Sequence, residues 1–170
     1  VVHAVAGFFT LGVLMNLGAR KGKFIDGVPQ IISPHSLPMT LIGLMMIIFG
    51  FFGFLGGCII FNGGETGWTT IYGTPTNLSA FAFNTLMGFA GGIIGCYIAT
   101  RDPFWTMSGG LVGIISVAAG LDIYSPSLAF IIAVTTGIVA VQFAKFLEKR
   151  GIDDAVGAVS VHGFTGVVAV

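Results

Sequence analysis

Residues 37–61, LPMTLIGLMMIIFGFFGFLGGCIIF, contain no charged side chain. About 20 mostly apolar residues suffice for a helix to cross the hydrocarbon core of a bilayer, so this stretch is long enough to span it. It shows none of the alternation over about ten residues that marks a barrel strand, and a helix satisfies all its own backbone groups in lipid. Outward from this segment the composition is of the same kind. The chain has 170 residues, 55% of them hydrophobic and 8% charged, with 27 glycines and a mean hydropathy of +0.98. An ordinary soluble domain has roughly 25% charged residues. The few charges cut the rest of the chain into further apolar stretches near 1–19, 77–100, 103–121, 126–147 and 154–170. The expected fold is all-α, a polytopic transmembrane bundle with six helices in this sequence.

The basic residues fall in alternate connections: Arg20, Lys21 and Lys23 after the first stretch, Arg101 after the third, and Lys145, Lys149 and Arg150 around the end of the fifth. The other connections hold Glu65 and Asp122 and neither Lys nor Arg. The positive-inside rule makes the basic connections cytoplasmic and points both chain ends outward. A formal net charge of zero offers no basic surface for nucleic acid. Residues 1–19 lack the basic leader and initiating Met of a signal peptide. The chain opens almost on a histidine and stops inside an apolar segment, so an excerpt from a longer protein is expected. Cys58 and Cys96 lie within spans as small packing residues, and no Cys spacing suggests a metal.

Glycines recur at helix-packing intervals in the pairs Gly53/Gly57, Gly88/Gly92, Gly91/Gly95 and Gly109/Gly113, which predicts close helix approach. Asn62 to Asn77, with several glycines, Pro75, Trp68 and Tyr72, suits an external interfacial loop. Asp122 to Pro126 suits a shorter external turn, with Pro126 at a first helical position. Pro29, Pro34 and Pro38 predict an irregular stretch before the second span.

Two ionisable side chains sit in apolar surroundings, His3 in VVHAVAGFF and His162 in VGAVSVHGFTGVVAV. Such residues at membrane depth mark a substrate, ion or proton pathway, and each histidine is the natural partner of the other. The first and last helices run in opposite directions, which lets side chains near the midplane face each other. A neutral imidazole has one donor and one acceptor nitrogen, so two in contact can share a proton and hand on polar hydrogens. Two imidazoles on separate helices can equally ligate a haem iron. No nucleophilic triad, phosphate loop or paired intramembrane carboxylate accompanies them, and the reading is of a non-enzyme without cofactor or metal. His35, in SPHSLP, sits at a boundary and suits a solvated or capping role. Phe49, Phe51, Phe52 and Phe54 cannot all face one way; those on the bundle side can form a dry constriction. Asp153 and Asp154 stand where carboxylates suit a helix N-terminus.

The segments VVHAVAG, PHSLPMTLIG, FFGFLGG and DDAVGAVSVHGFTG, in this order and spacing, resemble the fifth through tenth of the eleven transmembrane helices of the ammonium transporter family, the Amt and Rhesus proteins. The resemblance covers essentially the whole chain. It implies an inverted-repeat fold, here the last helix of the first half and all of the second, and a homotrimer with one hydrophobic pore per subunit. It further implies ammonium or ammonia as substrate, captured at an external aromatic site, passed through a phenylalanine gate and carried beside twin histidines. His3 and His162 match the twin histidines, and Phe54 matches one gate residue. Around the external site Phe51 replaces the usual Trp, Leu55 an Asn and Cys58 a Ser, and Gly157 stands where many members carry an acidic residue. The function implied is ammonium transport across the inner or plasma membrane. The alternative is an ammonium sensor coupled to a downstream signalling domain. A PII-type cytoplasmic regulator is the partner the family suggests.

Overall fold

The structure, a computed structural model, describes residues 1–63 and 78–170. Most of the loop expected at Asn62 to Asn77, with Glu65, Trp68 and Tyr72, lies outside the described residues. The helices are α1 (Val2–Leu17), α2 (Leu37–Gly63), α3 (Leu78–Thr100), α4 (Pro103–Val117, continued by a 3₁₀ turn Ala118–Gly120), α5 (Pro126–Lys149) and α6 (Thr165–Val168), the last entered through a π-helical segment Val159–Phe164. Among the described residues four stretches are long and apolar enough to cross a membrane: Leu37–Cys58, Ser79–Thr100, Pro103–Gly120 and Pro126–Lys149. The protein is a helical membrane bundle.

Local chemistry sets the boundaries. Asp102 accepts a hydrogen bond from the Trp105 backbone N–H at 2.9 Å, and Pro103 occupies the first turn of α4. Ser125 and Pro126 repeat the arrangement at α5. Between α1 and α2 the chain forms a hairpin, β1 (Phe24–Ile25) against β2 (Val28–Pro29), which the proline pattern did not anticipate. Its two turn residues, Asp26 at φ 50° and Gly27 at φ 77°, are both left-handed, as a tight two-residue hairpin loop requires.

The core lies where α3 packs against α4 and α5. A Cβ on Gly92 would overlap the backbone of Gly109 and Gly113, and one on Gly95 would overlap Val134, so these backbones are in direct contact. Phe81, Cys96, Val112, Ile114, Ile115 and Val141 fill the space around the crossings. Buried Asn84 donates from its amide nitrogen to the carbonyls of Leu121 and Tyr124, both at 2.8 Å, and so ties the α4–α5 turn to α3. Burial differs sharply between helices: 61% of the membrane-length stretch of α4 is buried and only 17% of that of α2. Gly53 and Gly57 correct the sequence reading, for among the described residues neither has an atom within 4 Å of where a Cβ would point.

Candidate functional site

The two helices carrying the histidines cross at glycine. A Cβ on Gly7 would overlap Gly163, and a Cβ on Gly166 would overlap the backbone of Ala4. Without side chains in the way the backbones meet, as small residues allow in helix pairs. His3 precedes Gly7 by one helical turn and His162 immediately precedes Gly163, so the crossing brings both imidazoles to one place. Their ring centroids are 5.6 Å apart and their planes differ by 9°. His162 lies within the π-helical segment, where the Thr165 hydroxyl donates to the carbonyl of Ser160, five residues back, at 3.0 Å. Such segments recur at functional sites.

Phenylalanines of α2 complete the group. Phe51 stacks on His3 with centroids 5.6 Å apart and planes 18° apart. Phe54 meets His3 edge-on at 6.2 Å and Phe51 at 6.1 Å. Phe51 is buried and Phe54 is 47% exposed, so the ring next to the histidine is the enclosed one. The result is a row, His162, His3, Phe51, with Phe54 set against its side. Cys58 lies one turn beyond Phe54 on α2 and is exposed. Phe49 is also exposed, on the other side of the helix.

At the basic end of the bundle, a cleft of about 350 Å³ is lined by Arg20, Asp102 and Asp153 from the connections after α1, α3 and α5, and by Lys145 of α5. The three basic connections thus meet on one face. Arg20 grips Asp153 with Nε on Oδ2 at 2.7 Å and Nη2 on Oδ1 at 2.8 Å, and its backbone N–H adds 2.9 Å to Oδ2. These hydrogen bonds hold the Asp153 carboxyl below its ordinary range against the opposing effect of burial, and push the Arg20 guanidinium up. Lys23 pairs with Glu148 and also donates to the carbonyl of Gln30 at 2.9 Å. The two neighbouring aspartates therefore differ in role. Asp154 accepts from the N–H groups of Ala158 and Val159 at 2.7 and 2.8 Å, the helix-start role expected of the pair, whereas Asp153 faces α1.

Chemically, the row offers two imidazoles able to accept and donate N–H bonds inside an apolar, aromatic surround. Among the described residues no group of three or more His, Cys, Asp or Glu comes together as a metal site would require. Sequence reasoning missed Gly7, Gly163 and Gly166, whose signal was present only as small residues beside each histidine. It also missed the pairing of Arg20 with Asp153, which no local pattern announces.

Comparison with known proteins places the chain. The Ammonium Transporter Family model matches residues 1–170. The chain is 36% identical over 169 residues to ammonium transporter Amt2 of Methanocaldococcus jannaschii, covering 99% of this chain and 37% of that protein. It is 35% identical over 173 residues to Amt1 of the same organism, covering 99% and 41%. A solved structure, titled Sensor Amt Protein, superposes with a TM-score of 0.85 at 28% identity, covering 99% of this chain and 40% of that one. The chain spans about two fifths of the length of these relatives.

Proposed function

The chain belongs to the ammonium transporter family, and we propose that it forms part of an ammonium or ammonia channel whose hydrophobic pore is lined by His3 and His162. It is an integral protein of the cell membrane, and its relatives bear the names of transporters, not enzymes. The observation that carries the reading is the near-parallel imidazole pair, 5.6 Å between centroids, with Phe51 stacked on His3 and Phe54 edge-on to it.

Selectivity in this reading is a matter of desolvation. A bare potassium ion in an apolar passage loses its hydration with nothing to replace it, a cost of several kcal/mol or more. Ammonium has a second course, since it can leave a proton behind and continue as neutral ammonia. The histidine pair then accepts and donates hydrogen bonds to the passing molecule and relays the proton. Phe54 acts as a gate residue and Cys58, one turn further along α2, belongs to the approach from outside, whereas Phe51, expected at that approach, stacks on His3 and lines the pore beside it. A homotrimer and a PII-type regulator or fused signalling domain complete the proposal by family resemblance. Proteoliposomes carrying the whole protein test it. His3→Ala and His162→Ala are expected to abolish ammonium flux or let potassium through, and wild-type flux and selectivity in both would overturn the mechanism.

A sensor is the second reading. It is favoured by the likeness to a structure titled Sensor Amt Protein and by Phe51, Leu55, Cys58 and Gly157 standing where transporters of the family usually carry other residues. Ammonium binding without ammonium-driven current would select it.

A further inference from the structure

We propose that Arg20 and Asp153 form a clamp that fixes the register of α1 against the last helix, and so act as positioning residues for the His3–His162 pair. The inference rests on the pore reading above and extends it to residues outside the membrane.

The histidine helices meet through Gly7, Gly163 and Gly166. Register between packed helices is ordinarily set by side-chain ridges seated in grooves. A glycine crossing has no ridges at the point of contact, so it brings backbones close but resists sliding and rotation weakly. Something else must hold the alignment. The Arg20–Asp153 contact joins the same two segments: Arg20 lies three residues beyond the end of α1, and Asp153 six before Val159.

The form of the contact suits the task. Both carboxylate oxygens are engaged by the guanidinium, a geometry that fixes orientation as well as distance. The Arg20 backbone N–H joins them, so α1 is anchored through its main chain and not only through a flexible side chain. The Asp153 side chain is 2% exposed, which leaves it no alternative partner in water. Its neighbour Asp154 grips the N–H groups of Ala158 and Val159. The linkage therefore runs unbroken from α1 through Arg20, Asp153 and Asp154 into the turn that carries His162. Lys23 and Glu148 provide an internal contrast, since they join the same loop to α5 and Lys23 acts on Asp153 only through its charge, without a hydrogen bond among the described residues.

The test uses the whole protein in proteoliposomes, with ammonium and potassium flux measured per folded molecule. Arg20→Gln and Asp153→Asn are expected to lower the ammonium-to-potassium ratio about tenfold, within what a misplacement of about 1 Å can cost at a site. Arg20→Lys, which keeps the charge but not the paired hydrogen bonds, is expected to fall between them and the wild type. Glu148→Gln is expected to keep the wild-type ratio. A role confined to stability would reduce the yield of folded protein and leave the ratio of what remains untouched. Wild-type ratios in folded Asp153→Asn and Arg20→Lys protein overturn the clamp. Should Arg20→Gln not fold, Asp153→Asn and Arg20→Lys decide. His3→Ala and His162→Ala run in parallel separate the two claims: altered ratios there with unaltered ones in the clamp variants overturn the clamp alone, and unaltered ratios in the histidine variants overturn the pore reading together with it.

Discussion

Gly157 has φ +71° and the Trp105 ring where a side chain would go, 2.8 Å from the Cβ position. The family resemblance places an acidic residue here, and the structure gives the physical reason this chain does not carry one: Trp105 fills the space. Gly157→Asp therefore meets two penalties, backbone strain in the left-handed region and overlap with an indole. Together they should cost about 2–3 kcal/mol. Gly151, at φ +79° with no atom within 4 Å of its Cβ position, isolates the first penalty. Gly151→Asn should cost under about 1 kcal/mol, because Asn tolerates the left-handed region better than most residues. Thermal unfolding in detergent ranks the two, and equal losses would show that Trp105 yields. At this scale the sequence was legible for the histidines, since ionisable side chains in apolar runs are conspicuous. It was not legible for Gly157, whose reason is a ring about fifty positions away.

Among elements, the glycine faces decide which helices touch. Gly92 sits where α3 meets both Gly109 and Gly113 of α4, so Gly92→Val inserts a whole isopropyl group between touching backbones. Overpacking of this kind costs about 1–3 kcal/mol or more where neither side can move. The expected result is a steep fall in folded yield by size-exclusion chromatography; normal yield and melting would mean that α4 can retreat. The same four-residue spacing at Gly53 and Gly57 faces no described neighbour, because spacing records a helix face without saying what lies opposite. Helix existence was readable, as charges and prolines bound each apolar run. The start of the last helical stretch was not, since Asp154 serves as its anchor from outside and Gly157 turns the chain before Val159. The hairpin does have a signal, Asp26-Gly27, set beside prolines that by themselves point to irregular chain.

Across the whole molecule, the charges that gather at one end of the bundle also hold it together. Their alternation could be read from the sequence; that Arg20 finds Asp153 across 133 residues could not, because a charge pattern assigns a side and not a partner. The pair makes acid stability a further test. Hydrogen bonds from Arg20 depress the Asp153 pKa, so its contribution is fully present above the ordinary carboxylate range and is lost as pH falls through the depressed value. Since Arg20 is 44% exposed, the contribution should be modest, about 1 kcal/mol. Asp153→Asn should thus melt a few degrees below wild type from neutral pH down to about 4, with the gap closing below that as Asp153 protonates and comes to resemble Asn. Arg20→Gln should be the worse variant at neutral pH, because it leaves a buried carboxylate without its cation, whereas Asp153→Asn leaves only a half-exposed guanidinium. Its deficit should also shrink on acidification, as the stranded carboxylate takes up a proton. Melting curves of the three proteins across pH 3 to 7 decide the matter; a gap between wild type and Asp153→Asn that persists undiminished at the acid end would show that Asp153 stabilises the bundle by something other than its charge.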